Sequence, residues 1–366
     1  MNHSPVLTPF IDRYGKPEGG AWLAGKGASS DLLAVARCAC DAGWFRVGGW
    51  EVAVGSEGDA RKQLEVAGAK EASERYAHAA MIGNDAGALT AVVLWNDDQP
   101  ECVYVLDPEV QSAQAQGPLA VWIGRLACGT KSNDEDREAV GVGTEPLGGK
   151  APPLPCTIVP EPSVADALKG GGHVAFVELG GCPVSVHKKG IRALVAGQKK
   201  SKGLGKGAHI GFDVAGNAVF RTEAASSKEG TLARVTLPAL DVTQEAVDGS
   251  LGAPYALSED SVLVQLAKGW LRVYAMNEES DALVQRAELH AGSDAPFIQS
   301  SRTGYVTLTQ HNRADTVLLR WTGERLEVVA AWPGSGGKII DVDGQLYGNR
   351  HTPERNWHDV RMTLRR

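Results

Sequence analysis

The chain has 366 residues, 43% of them apolar, enough for two ordinary hydrophobic cores or one large repeat array. Its net charge of −7 and pI near 5.8 argue against a general nucleic-acid binder, because phosphate contacts need a basic excess. No apolar run is long enough for a membrane helix, and the first twenty residues lack the basic and apolar regions of a signal peptide, so a soluble, cytoplasmic protein without membrane partners is expected.

In chain order, Asp31 to Cys40 places apolar side chains at helical spacing behind a Ser29-Ser30-Asp31 cap. Trp44 to Val54 holds two β-rich runs around Gly48-Gly49, which predicts a hairpin. Asp59 to His78, rich in Ala, Glu, Lys and Arg, predicts a second helix. Ala88–Trp95 and Glu101–Leu106 flank a run of turn residues and predict a second hairpin. Leu119 to Leu126 reads equally as a closing helix or a buried strand, since periodicity does not separate them. Residues 1–128 are therefore expected to form an α+β domain.

Gly129 to Pro162 combines the acids Asp134, Glu135, Asp136 and Glu138 with six prolines, which remove backbone donors. An extended linker over 129–162 is expected. Beyond it, Ser163 to Lys169 predicts a helical turn, and one unit then repeats: a β-branched run, a Gly-centred turn and a second alternating run. Units start near His173, Ala208, Pro254, Pro296 and Lys338, about 35 to 46 residues apart, which is the period of a four-stranded propeller blade. Gly180-Gly181, Gly216-Asn217 and Asp343-Gly344 are turns where positive φ comes cheaply. The fold class is mainly β: a β-propeller-like array of four-stranded units over 163–366, with an N-terminal α+β domain. The alternative is one continuous propeller. Five units make a small ring, which Thr157-Ile158-Val159 or strands from the N-terminal half would complete.

Three stretches of the first half have a shared order: Leu32-Leu33 through Gly43-Trp44-Phe45-Arg46-Val47-Gly48-Gly49-Trp50, then Ala79 to Gly87, then Val103-Tyr104-Val105-Leu106-Asp107-Pro108-Glu109. A helix entering a Gly-flanked strand, an acidic-Gly turn and a closing Val-Tyr-x-Leu-Asp-x-Glu strand resemble the SUKH-type immunity-protein superfamily. The chain departs from that pattern in its insert from Ser56 to Tyr76. The resemblance implies an α+β binding domain, commonly bacterial, that blocks a cognate toxin by stoichiometric contact. The abundance of Gly and Ala also fits a GC-rich bacterial source.

Chemical signatures are sparse. The six cysteines are scattered, and Cys38-Ala-Cys40 lacks the second ligand pair of a zinc site, so reduced core thiols are expected. Lys188, Lys189, Arg192, Lys199, Lys200, Lys202 and Lys206 lie in an acid-free, glycine-rich stretch; Lys199, Lys200, Lys202 and Lys206 are the candidate anion site, and a solvated loop is the plainer reading. No Walker or nucleophile-elbow motif is present, so no catalytic residue is nominated. His351, Glu354, His358 and Asp359 have no recognised ligand spacing, and Asp341-Val-Asp343-Gly344 lacks the distal Glu of a calcium loop. No metal and no cofactor are implied. Trp22 and Trp357 fall outside the expected strands and are the candidate anchors for a partner. The combined expectation is a non-enzymatic interaction module, of immunity or defence type, with a protein partner. The alternative is a propeller-fold hydrolase or lyase whose carboxylates Asp213, Asp260, Asp294 and Asp341 meet at the ring axis.

Overall fold

The computed structural model describes residues 3–15, 21–42, 44–85, 89–97, 100–129, 139–154, 160–168, 173–187, 189–204, 209–224, 229–248, 251–293, 296–309, 315–333, 338–351 and 357–365. The chain begins with α1 (Thr8–Tyr14), α2 (Ala21–Ala24) and α3 (Ser30–Ala42). They lead into a six-stranded antiparallel meander of β1 (Phe45–Val47), β2 (Trp50–Val52), β3 (His78–Asp85), β4 (Thr90–Trp95), β5 (Cys102–Asp107) and β6 (Ser112–Gly117). Where one helix was expected after β2 there are two, α4 (Glu57–Val66) and α5 (Lys70–Arg75), because the chain turns at Gly68 with φ +68°. Strand β4 shows why the sheet is buried on both faces. Ala91, Val93 and Trp95 face one core, and Val92 and Leu94 face the other.

The ambiguous segment after β6 is helix α6 (Leu119–Gly129). Leu119, Ala120, Val121, Trp122 and Ile123 are all buried, so no polar face marks its period. Strand β7 (Val142–Pro146) and helix α7 (Pro162–Leu168) follow.

Among the described residues, five four-stranded antiparallel sheets follow. Sheet I holds β8 (His173–Leu179), β9 (Cys182–His187), β10 (Gly190–Val195) and β11 (Gln198–Gly203). Sheet II holds β12 (His209–Ala215), β13 (Ala218–Ala224), β14 (Glu229–Thr236) and β15 (Asp241–Asp248). Sheet III holds β16 (Leu251–Ser258), β17 (Ser261–Leu266), β18 (Trp270–Asn277) and β19 (Ala282–His290). Sheet IV holds β20 (Phe297–Ser300), β21 (Tyr305–Thr309), β22 (Asp315–Trp321) and β23 (Leu326–Pro333). Sheet V holds β24 (Ile339–Val342), β25 (Gln345–His351) and β26 (Trp357–Leu364), and takes β7 as its fourth strand.

Each sheet begins within a few residues of an expected unit start. The architecture is mainly β and propeller-like, with an N-terminal α+β unit. Successive sheets share apolar cores: Val184 with Val235 between I and II, Phe220 with Val264 between II and III, and Trp332 with Ile339 between IV and V. Strand β7 lies inside the segment read as a linker. It pairs with β26 from Val142 opposite Leu364 to Pro146 opposite Val360, so a strand that precedes the array completes its last sheet. Proline is tolerated there because β7 is an edge strand and Pro146 is its last residue.

The N-terminal unit is not isolated from the array. One core cluster runs from Val6, Phe45 and Trp122 into Leu263 and Leu289 of sheet III and Val317 and Leu319 of sheet IV.

Candidate functional site

The contact between the N-terminal unit and sheets III and IV leaves a cavity of about 310 Å³, within the size range of small-ligand pockets. One wall comes from residues 27–31, Glu101 and Pro118. The other comes from Arg286 and Leu289 of β19 and from Leu319, Glu324, Arg325 and Val328 of β22, β23 and their turn.

Polar relays hold this wall in place. Ser29 Oγ accepts the Leu32 N–H at 3.1 Å and so caps α3. Asp31 follows, accepting the Ser4 N–H at 2.5 Å and the Ser4 hydroxyl at 2.7 Å. Ser4 Oγ in turn accepts the Val328 N–H of β23 at 3.2 Å, so the carboxylate reaches sheet IV through one hydroxyl. Arg325 donates to Ser30 Oγ at 2.6 Å and to Glu327 at 2.8 Å. Burial works against the Glu327 carboxylate, but hydrogen bonds from Arg320 and Arg325 hold its pKa below the ordinary value.

Glu101 is only 3% exposed and accepts the Leu119 N–H at 3.1 Å, so a carboxyl caps the start of α6. Burial pushes its pKa up to about 7, and the Asp31 charge adds to the rise. Burial also raises Asp31, against the Ser4 hydrogen bonds and the charges of Arg325 and His3. Deeper in the contact, Arg125 of α6 is 2% exposed. It donates to the carbonyls of Gln116 (3.3 Å) and Ala291 (3.2 Å), and its Nε lies 3.7 Å from Asp315. A Cβ at Gly292 would come within 2.4 Å of the Gln116 carbonyl, so the two chains meet there only because the residue is glycine. At the margin, Arg75 stacks on Trp270 at 3.8 Å.

Of the residues singled out from sequence, Trp22 is not among the residues that line this cavity. It is 41% exposed, in α2, with Lys26 Nζ 5.6 Å from its ring. Lys26 pairs with Glu57 at 2.6 Å, and its carbonyl accepts the Trp95 indole N–H. Trp357, expected outside the strands, begins β26, paired with His351. His358 opposes Arg350 in the same hairpin. Lys199, Lys200 and Lys202 do not sit in a loop. They belong to β11, the outer strand of sheet I, whose residues are all exposed; lysine suits such an edge because it discourages pairing with another sheet. Lys206 lies outside the described residues. Cys38, Cys102, Cys128 and Cys182 are free and buried, and burial pushes Cys38 up to about 11 and Cys102 to about 12.

Two of the four carboxylates expected at a ring axis bond to adjacent residues of the β20–β21 turn. Asp213 of β12 meets Arg302 Nε at 2.9 Å and accepts the Ala256 N–H of β16 at 2.9 Å, linking sheets II, III and IV. Burial raises its pKa against these donors. Next to Arg302, Thr303 donates to Asp341 of β24 at 2.9 Å. Asp260 is held apart in the β16–β17 turn by Arg234 at 2.6 Å, and Asp294 lies outside the described residues.

Sequence reasoning missed Asp31, Glu101, Arg125 and Arg325 as site residues. Each has a partner far along the chain (Ser4, Leu119, Ala291 and Ser30 respectively, 18 to 295 residues distant), and only the Ser29-Ser30-Asp31 cap left a local signal.

No family model matches the chain, and no curated protein matches its sequence. Among solved structures, the β-propeller domain of Cps50 (Swd1) from Myceliophteria thermophila aligns at 10% identity over 49% of this chain and 66% of that one, with a TM-score of 0.33. A prolyl endopeptidase aligns at 13% identity over 51% of this chain and 34% of that one, with a TM-score of 0.36. The WD40 domain of coronin from Toxoplasma gondii aligns at 11% identity over 79% of each chain, with a TM-score of 0.36. The chain thus spans less than two thirds of the first two. Similarity at this level carries no functional argument, and the fold assignment rests on the sheet topology itself.

Proposed function

We propose that the chain is a non-enzymatic interaction module that holds a protein partner by stoichiometric contact. The carrying observation is what two of the expected axial carboxylates do: Asp213 is occupied by Arg302 and a backbone donor, and Asp341 by Thr303, so these acids join different sheets. A hydrolase or lyase using Asp213 would first have to release it from Arg302. Residues 1–128 form the α+β unit of this reading and 163–366 the propeller-like array, with 129–162 connecting them. In its finer form the N-terminal unit binds a cognate toxin in a bacterial cytoplasm, as the resemblance to immunity proteins implies. Trp22 and Trp357 are the proposed anchors. Trp22 supports the reading because it is a large aromatic left 41% exposed.

The test is to identify the partner by cross-linking in the native host and then titrate it calorimetrically. One partner per chain should bind and the heat should saturate. Trp22→Ala should weaken binding about tenfold or more. Conversion of the partner, or of a small molecule, by catalytic amounts of the chain would refute the proposal.

A further inference from the structure

Strand β11 pairs with β10 along its whole length, from Gly190 opposite Gly203 to Val195 opposite Gln198. Among the described residues no strand pairs with its other edge. That edge presents backbone donors and acceptors to solvent. The pleat places Lys200 and Lys202 on the face shared with the buried Ala193 and Ile191, and Lys199 on the opposite face. None of the three lysines has an ion pair among the described residues. In an acidic chain this strand reverses the local charge, whereas the outer strand of sheet II carries Asp241, Glu245 and Asp248. The lysines repel a second β11 and give a neutral strand nothing in return. They reward one kind of added strand, an acidic one.

We propose that β11 is a docking edge for an acidic, extended segment of the partner protein, which joins sheet I as a fifth strand and sets carboxylates at alternate positions opposite Lys200 and Lys202. This rests on the reading of the chain as an interaction module and names the kind of segment that it takes. Main-chain hydrogen bonds supply the affinity, and the alternating charges select the sequence.

The experiment uses the full chain and a capped Val-Glu-Val-Glu-Val-Glu peptide, followed by calorimetry. The parent chain should bind the peptide. Substituting Lys199→Ser, Lys200→Ser and Lys202→Ser together should weaken it about tenfold or more while moving the melting temperature by no more than about 2 °C. Backbone N-methylation of alternate peptide residues should abolish binding, because it removes ladder donors but no charge. Three results overturn the proposal: no binding by the parent, equal binding of the methylated peptide, or binding of polyphosphate that matches the peptide and marks a charge patch only. Self-association of the chain that the lysine substitutions abolish would assign the edge to a second copy and overturn it as well. If the peptide fails while the native partner still titrates one to one, the partner contact lies elsewhere and the interaction reading stands.

Discussion

Glu101 sets burial against charge. Its carboxyl caps α6 but lies beside Asp31 and out of water, and its pKa stands at about 7, above the ordinary 4.5. The folded state therefore holds more protons than the unfolded state between those values. The contribution is stabilising below about pH 4.5 and is lost as pH rises through about 7, amounting to about 3 kcal/mol at most. Raised Asp31 has the same sign. Glu101→Gln keeps an acceptor for the Leu119 N–H and does not ionise. Melting temperatures followed from pH 4 to 8 should fall less steeply in that variant than in the parent; equal slopes would show that Glu101 does not carry the dependence. Arg125 offers a second test. Arg125→Leu strips Asp315 of its guanidinium inside the protein and should cost about 3–5 kcal/mol in urea unfolding, and adding Asp315→Leu should recover a substantial part. If the two losses simply add, the 3.7 Å pair has no coupling.

Among the elements, β7 is short but structurally consequential. Val142 is 1% exposed and packs with Trp332, Ile339 and Met362, so five residues both complete sheet V and cover its core. Val142→Ala should destabilise by about 1–2 kcal/mol, less than a Leu→Ala change because less volume is removed. The same change at exposed Val110 should have little effect.

This strand also shows where sequence reading stops. The hairpins of the array were legible because their turns need positive φ and hold residues that tolerate it: Gly180 at +55°, Gly216 at +52°, and Asp343 and Gly344 at +51° and +80°. Strand β7 sits in a proline-rich stretch and pairs with a strand more than two hundred residues later, so no local pattern announces it. Helix α6 hid its period by being buried all round, and β11 looked like a loop because lysine and glycine are poor strand formers. The candidate site was less legible still. Ser4 with Val328 and Arg325 with Ser30 join opposite ends of the chain, and neither pair carries a spacing that can be read.

In the whole molecule, these long-range pairs and the shared core join the N-terminal unit to the array, and the two are expected to unfold together. Leu289, Val317 and Leu319 of the array lie in the same cluster as Phe45, Trp95 and Trp122 of the N-terminal unit. An isolated 163–366 fragment would expose those array residues and also lack β7. It should be poorly soluble and should bind a dye specific for exposed apolar surface. The most direct measurement is differential scanning calorimetry of the full chain. One endotherm is predicted, with calorimetric and van't Hoff enthalpies in agreement. Two resolved endotherms, one of them reproduced by the 163–366 fragment alone, would contradict a shared core and show that the two units fold independently.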